Sequence, residues 1–177
     1  MSGQKVLDVG CGAALAALSI TKRIYHGQMS LMDIEDIRDP RTKDFSYKDG
    51  SAVSIPHARN EFDVAYMQYV AHHMVEPIDD ILRETYRVAK SKFILVEEVK
   101  GKKYDESSAK VFDKKINDFL HPNVDMPVHR YYTHAEIKKA IESSDWELID
   151  AVKVNPGTIE NGFIDTYVYV LVKQVLI

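Results

Sequence analysis

A short segment near the start of the chain contains residues that could bind a nucleoside-like cation. Asp8 precedes a turn that contains Gly10, Cys11 and Gly12, and this turn lies between a strand-like run and a helical run. Glycines in such a turn allow backbone N–H groups to approach a ligand, because no Cβ blocks the way. A carboxylate at Asp8 suits a ligand with a positive amino group and a sulfonium better than it suits a pyrophosphate.

Two further acids end the next two predicted strands. Asp33 closes the second strand, where a carboxylate can accept both hydroxyls of an adenosine ribose. Asp49 closes the third strand, where its carboxylate or the adjacent backbone could meet an adenine amino group. Each acid alone is equally well explained as a cap or turn former. The three acids in order with the glycines predict a cofactor site.

Other candidate residues follow the fourth predicted strand and the fifth. His72 and His73 could include a general base, but we expect one to pack on a helix and the other to be solvated. Adjacent histidines without further ligands at suitable spacing do not predict a metal site. Cys11 lies inside the glycine turn and is not expected to act as a nucleophile.

The role of the polar stretch 101–132 has two possible interpretations. Its later part carries basic and aromatic side chains, namely His121, His129, Arg130, Tyr131 and Tyr132. These side chains could shape an acceptor pocket beyond the carboxyl ends of the strands, or they could cover the core. Tyr167 and Tyr169 alternate with valines, which favours packing within a strand.

Alternation of strand-like and helical patterns predicts an α/β domain that spans residues 1–177. Strands are predicted at 5–9, 28–32, 45–48, 62–67, 93–99, 146–154 and 166–173. Helices are predicted at 13–24, 77–88, 107–120 and 133–143, the last with a capping box formed by Thr133 and Glu136. The first five strands should be parallel, and the last two should form an antiparallel hairpin with turns at Asn155-Pro156-Gly157 and Asn161-Gly162.

Composition narrows the class of protein. The net charge is −4, with 45% hydrophobic and 28% charged residues, and the basic residues are scattered among acids. We therefore expect no nucleic-acid partner, since phosphate binding calls for a clustered basic face. No apolar run approaches the roughly 20 residues of a membrane span. One cysteine and an N-terminus that runs directly into a strand predict a cytoplasmic protein without a signal peptide.

The sequence resembles the type 11 family of class I methyltransferases, a group that includes quinone-biosynthesis methyltransferases. The similar passages are "VLDVGCG", "LMDI", "KDGSAVSIPHARNEFDVAYMQYVAHHM", "ILRETYRVAK" and "YYTHAEIKKAIESSDWELID". The resemblance implies a Rossmann-like three-layer sandwich with a mostly parallel seven-stranded sheet. It also implies an enzyme that transfers a methyl group from S-adenosylmethionine to a small-molecule acceptor.

The same resemblance assigns expected roles by position. Asp8, Gly10 and Gly12, with Cys11 between them, should line the methionine end of the cofactor. Asp33 should hold the ribose, Ile34 should pack on the adenine, Asp49 and Gly50 should lie at the adenine edge, and Gln68 should lie near the methyl group. On the acceptor side we expect Tyr69, His73, Arg130 and Tyr131. No metal is expected.

Departures from the family pattern keep other hypotheses open. Ala14 stands where a third glycine is usual, the connection after Asp33 contains Pro40 and leaves room for at most a helical turn, and Ser91-Lys92 replaces a Pro-Gly-Gly turn. With the short N-terminus, these features would also suit a non-catalytic, methyltransferase-like subunit, or a second subunit or protein partner that covers the N-terminal side. A nicotinamide-dependent oxidoreductase is a third hypothesis, but it requires a small residue at Leu15.

Overall fold

Seven strands form one sheet in the computed structural model, which describes residues 3–23, 27–121, 124–154 and 164–174. The strands are β1 (Lys5–Val9), β2 (Gln28–Asp33), β3 (Ser46–Asp49), β4 (Phe62–Gln68), β5 (Ala89–Lys100), β6 (Trp146–Val154) and β7 (Ile164–Lys173). Their order across the sheet is β3-β2-β1-β4-β5-β7-β6. The first five are parallel, and β7 runs antiparallel to both β5 and β6. The predicted mostly parallel sheet with a C-terminal antiparallel pair is confirmed.

Helices cover both faces of this sheet, as a three-layer sandwich requires. The α-helices are α1 (Leu15–Arg23), α2 (Ile78–Val88), α3 (Glu106–Leu120) and α4 (His134–Glu142). Helix α1 packs through Ala17 on one face of the sheet, whereas α2 and α4 bury apolar side chains on the other. Short 3-10 helices occupy Pro40–Thr42 and Ala71–His73. The predicted replacement of the usual second helix by a single turn is therefore correct.

Helix α1 begins two residues later than predicted. The sequence pattern places its start at Ala13, but Ala14 has a φ of +59°. An α-helix of L-residues cannot include such left-handed conformations, so helical geometry starts only at Leu15. The two extra residues belong to the turn instead, and they extend the loop that faces the sheet edge. Residue 24, the predicted end of this helix, lies outside the described residues.

Strand β5 is longer than predicted because it begins directly where α2 ends. Ala89 is both the C-cap of α2 and the first residue of β5, so Ser91 and Lys92 lie inside the strand rather than in a turn. The pairing of β4 with β5 is irregular between Phe62 and Val64, which absorbs this early start. Pro77 is the N-cap of α2 rather than part of its first turn.

The predicted start of α4 is confirmed in atomic detail. Glu136 donates its backbone N–H to Thr133 Oγ1 over 3.1 Å, and Thr133 N–H donates to Glu136 Oε2 over 2.6 Å. These two bonds satisfy N–H groups that the helix cannot pair internally. Tyr169 is fully buried and its hydroxyl lies 2.9 Å from His134 Nδ1, which agrees with its predicted packing role.

Two sequence features fall outside the described ranges. The predicted turns Asn155-Pro156-Gly157 and Asn161-Gly162, between β6 and β7, are among the residues that the structure does not describe. Within the described ranges, no helix has both the length and the apolar character needed to cross a membrane.

Candidate cofactor and acceptor cavity

One large cavity opens at the carboxyl ends of the parallel strands. Its volume is about 1410 Å³, and its walls come from the glycine turn after β1, the ends of β2 and β4, and helix α3. Ligands of open α/β sheets bind at this edge because the loops and helix N-termini there leave a crevice. Ten of the predicted site residues line it: Asp8, Gly10, Cys11, Gly12, Asp33, Ile34, Gly50, Gln68, Tyr69 and His73.

The glycine turn is fixed against the end of β2. The N–H groups of Gly10 and Cys11 both donate to Met32 O, over 2.9 and 3.0 Å. Gly10 has a φ of +71°, and a Cβ at this position would lie 2.5 Å from a methyl carbon of Val70. Ala14 adopts a φ of +59° and is fully buried, so the turn keeps its shape with alanine in place of the usual glycine. That geometry stores about 1 kcal/mol of backbone strain.

Asp8 presents an unsatisfied carboxylate to the cavity. Its side chain is 2% exposed and its Oδ2 atom has no hydrogen-bond partner among the described residues. Burial, and secondarily the charge of Asp33, raises the pKa of Asp8 to about 7. A buried carboxylate without partners is costly, and a cationic ligand would relieve that cost. The geometry therefore provides a binding site for a positively charged group beside the glycine turn.

Asp33 lies at the end of β2 and organises the backbone around it. Its Oδ2 accepts the N–H of Gly12 and its Oδ1 accepts the N–H of Ile34, each over 2.7 Å. Burial raises the pKa of Asp33, while these two backbone bonds oppose the change. Each carboxylate oxygen has a second acceptor site, so the group can still accept hydroxyls from a ligand in the cavity. Ile34 is 76% exposed and offers an apolar surface beside it.

Asp49 is the predicted cofactor residue that does not line the cavity. Its side chain is exposed at the end of β3, and the neighbouring Gly50 lines the cavity instead. The N–H of Gly50 donates to Asp33 O over 2.8 Å, and a Cβ here would lie 2.4 Å from Pro56 Cδ. At this position the backbone, rather than the preceding carboxylate, reaches the cavity.

The end of β4 brings two polar side chains to the middle of the cavity. Gln68 lines the cavity, and its Oε1 accepts a hydrogen bond from the Tyr66 hydroxyl. Tyr69 follows with a φ of +59°, a conformation that L-residues rarely adopt outside functional sites and tight turns. Its N–H donates to Val96 O over 2.9 Å, which holds the strained backbone in place.

His72 is buried, but it contacts two acidic side chains rather than packing only against the apolar surface of a helix. Its ring is 1% exposed, with Nδ1 2.5 Å from Glu97 Oε1 and Nε2 3.4 Å from Asp113 Oδ1. Burial lowers the pKa of His72, but the two carboxylates outweigh it and raise the pKa to about 10. The Tyr131 ring stacks on the imidazole with centroids 5.1 Å apart.

His73 lies beside this network and is partly exposed. Its ring centroid is 4.1 Å from that of His72, and its Nδ1 lies 3.2 Å from Pro127 O. Burial, together with the neighbouring His72, lowers the pKa of His73. The ring lines the cavity close to Asp113 of α3.

Two predicted acceptor-side residues do not line the cavity. Arg130 is exposed, forms an ion pair with Glu136 at 3.1 Å and lies over the Tyr132 ring. Tyr131 is 2% exposed, and its ring stacks on the His72 imidazole. The extended segment before α4 directs Arg130 toward α4 and Tyr131 toward the core, so the structure does not bring these two side chains to the cavity wall. His121 and His129 do line the cavity, whereas Tyr131 and Tyr132 are buried. Each of the two interpretations of stretch 101–132, pocket wall and core cover, therefore applies to some of its residues.

Sequence reasoning missed Glu97 and Asp113. Glu97 is fully buried, and it accepts the N–H groups of Ala71 and Glu98 as well as contacting His72. A signal was available, because two consecutive acids interrupt the apolar run "FILVEEV" of β5. Buried acids of this kind require partners. Asp113 carried no such signal, since α3 is mostly polar.

Cys11 carries a largely buried thiol inside the glycine turn. Burial, followed by the charges of Asp8 and Asp33, raises the pKa of its thiol above the usual range. A thiol that stays protonated is a poor nucleophile.

A family model described as a methyltransferase domain, type 11, matches residues 7–96, slightly more than half of the chain. The curated proteins contain no match to the chain.

Solved structures share the fold at low sequence identity. Geranyl diphosphate C-methyltransferase from Streptomyces coelicolor A3(2), in complex with Mg²⁺, geranyl diphosphate and S-adenosyl-L-homocysteine, matches with a TM-score of 0.70 and 11% identity, over 98% of this chain and 76% of that one. The [4+2]-cyclase SpnF matches with a TM-score of 0.71 and 17% identity, over 98% and 76%. The protein in complex with the Haloferax volcanii Trm112 methyltransferase activator matches with a TM-score of 0.72 and 17% identity, over 98% and 83%. At these identities the likeness establishes the Rossmann-like methyltransferase fold.

Proposed function

The chain belongs to the methyltransferase domain family, and from this premise we propose that it methylates a small-molecule acceptor held between the glycine turn and helix α3. It is an enzyme that transfers methyl groups, with S-adenosylmethionine as its cofactor. The family match argues against the nicotinamide-dependent and non-catalytic hypotheses. One cysteine in 177 residues supports the cytoplasm as our proposed location.

The observation that carries the site assignment is the unpartnered Oδ2 of Asp8. This buried carboxylate faces the cavity next to the glycine turn, where the methionine end of the donor would place a positive amino group and a sulfonium. A cation there would be both hydrogen-bonded and charge-paired in a low-dielectric setting. We assign Asp8, Gly10, Cys11 and Gly12 to this end of the donor.

The nucleoside end follows from the next two strand ends. We propose that Asp33 accepts the ribose hydroxyls and that exposed Ile34 packs on the adenine. We assign the adenine edge to Gly50 rather than to Asp49, because only Gly50 lines the cavity. Gln68, fixed by Tyr66, is proposed to lie near the methyl group.

The reaction itself asks for alignment more than for acid–base chemistry. The sulfonium is already an activated donor, so the protein must hold the acceptor atom in line and exclude water. A cavity of about 1410 Å³ exceeds the usual 300–1,000 Å³ of small-molecule sites, which supports room for an acceptor beside the donor. Apolar side chains from α3 and the following segment, Phe112, Ile116, Leu120 and Met126, support an acceptor with an apolar part.

Calorimetry with S-adenosylmethionine tests this assignment. We expect saturable binding in the micromolar range and none with NAD. Asp33→Ala removes hydrogen bonds to a charged group, so it should weaken binding about 10- to 100-fold. Asp49→Ala is the matched control, since this acid ends the adjacent strand but lies outside the cavity; its effect should stay within about threefold.

Each outcome bears on a different part of the proposal. Absence of saturable binding to the wild-type chain would overturn the cofactor site as a whole. Equal losses in Asp33→Ala and Asp49→Ala would show that residues outside the cavity control affinity, which contradicts the assignment above. Screening of small apolar hydroxyl, amine and carboxylate compounds with labelled donor then tests the acceptor class.

A further inference from the structure

His72, its neighbour His73 and Asp113 are three potential metal ligands from two separate parts of the chain. One ligand atom from each of His72, His73 and Asp113 lies within 4.8 Å of the other two. The histidines follow β4, and Asp113 comes from the middle of α3. All three line the cavity.

The spacing of the two buried ligand atoms suits one ion. His72 Nε2 and Asp113 Oδ1 are 3.4 Å apart, and Nε2 has no hydrogen-bond partner among the described residues. Zinc binds imidazole nitrogen and carboxylate oxygen at roughly 2.0–2.2 Å in tetrahedral geometry, which places two such ligand atoms roughly 3.3–3.5 Å apart. The observed separation of this pair is therefore compatible with a shared zinc ion.

Hydrogen bonds on the far side of each residue leave the inner atoms available. Glu97 holds His72 Nδ1, and Asn117 Nδ2 donates to Asp113 Oδ2 over 2.8 Å. The carbonyl of Pro127 can only accept, so His73 Nδ1 donates to it and Nε2 keeps the lone pair. Metal-binding histidines in proteins are oriented by such outer carboxylates and carbonyls.

We propose that His72, His73 and Asp113 bind a divalent transition metal of the Zn²⁺ type. Two imidazoles and one carboxylate make a three-ligand site with an open position, a pattern found in catalytic zinc centres. The ion would lie between His72 Nε2 and Asp113 Oδ1. Mg²⁺ is disfavoured, because it prefers an all-oxygen shell.

The open position would face the acceptor part of the cavity. An ion there would coordinate an acceptor oxygen, such as a hydroxyl or carboxylate, and lower the pKa of a bound hydroxyl. This role rests on the proposed methyl transfer, whereas the binding of the metal does not.

Titration of the full chain, stripped of metal by a chelator and dialysed, tests the site. We expect one Zn²⁺ per chain by calorimetry, visible absorption bands of tetrahedral Co²⁺, and no binding of Mg²⁺. Asp113→Asn and His73→Gln should each weaken Zn²⁺ binding at least 10-fold. His129→Ala is the matched control, because this exposed histidine lines the same cavity outside the cluster; it should change affinity less than twofold.

The variants are chosen so that folding does not confound the result. Asp113→Asn preserves shape, and His73 is only half-buried, so circular dichroism should match the wild type. Absence of stoichiometric Zn²⁺ binding, an unchanged affinity in Asp113→Asn, or an equal loss in His129→Ala would each overturn the proposal. S-adenosylmethionine affinity is measured on the same proteins. Because donor binding does not depend on the metal ligands, loss of Zn²⁺ binding with unchanged donor affinity would concern this proposal alone, and absence of donor binding would concern the cofactor assignment alone.

Discussion

Two buried carboxylates, one lining the cavity and one directly behind His72, differ in how the chain satisfies their charge. Glu97 on the acceptor side accepts two backbone N–H groups and contacts His72, so its charge is satisfied within the chain. Asp8 on the cofactor side is equally buried, yet one of its oxygens has no partner among the described residues. A satisfied buried acid builds a scaffold, whereas an unsatisfied one marks the place of a missing ligand.

Removal of Glu97 should produce the largest loss of stability. Glu97→Ala leaves His72 without its closest carboxylate and leaves the N–H groups of Ala71 and Glu98 without an acceptor. Breaking one partner of a buried ion pair costs about 3–5 kcal/mol. Urea unfolding at pH 7 measures the change, with Glu98→Ala, the neighbouring cavity acid, as the control expected to lose less than about 1 kcal/mol. Similar losses in both variants would remove the contrast between scaffold and ligand-facing acids.

Replacement of Asp8 should raise the stability of the protein, whereas replacement of Glu97 lowers it. In the unfolded chain Asp8 ionises near the ordinary aspartate pKa of 3.8, whereas the folded protein keeps it protonated up to about pH 7. The contribution of Asp8 to wild-type stability should therefore fall as the pH rises from about 4 to 7 and stay constant above that. Asp8→Asn lacks this loss, so above pH 7 it should be more stable by up to about 4 kcal/mol.

The same variant should bind S-adenosylmethionine more weakly, because the negative charge opposite the donor is gone. Wild-type affinity should rise as the pH rises through 7, and the affinity of Asp8→Asn should not. Thermal unfolding from pH 5 to 8, together with calorimetry, measures both effects. A variant that is no more stable than the wild type at pH 8 would show that Asp8 finds its partner within the chain.

The glycine turn should be sensitive to a methyl group at one position and tolerant at another. Gly10→Ala combines a φ of +71° with a Cβ 2.5 Å from Val70, so we expect a loss of about 2–3 kcal/mol. Ala14→Gly removes backbone strain but also a buried methyl group, and these opposing terms should leave stability within about 1 kcal/mol. Chemical denaturation compares the two. Equal costs would mean that the turn is not shaped as described.

Residues close together in the sequence made the cofactor end predictable. Asp8, Gly10 and Gly12 belong to one turn, whose geometry is local, and Asp33 follows from the parallel strand order that the alternating pattern predicts. The acceptor side could not be assembled in this way. His72, Glu97 and Asp113 are separated by 25 and 16 residues, and their meeting depends on how α3 packs against the end of β4.

The sequence by itself determined the order of strands and helices, the glycine turn and the residues that flank it, because periodicity and turn chemistry act over a few residues. Tertiary structure alone decided that Gly50 rather than Asp49 reaches the cavity, that Arg130 and Tyr131 turn away from it, and that His72 is enclosed by two acids. These outcomes depend on which side of a loop faces the core and on packing between distant segments. No local pattern in the chain encodes that choice.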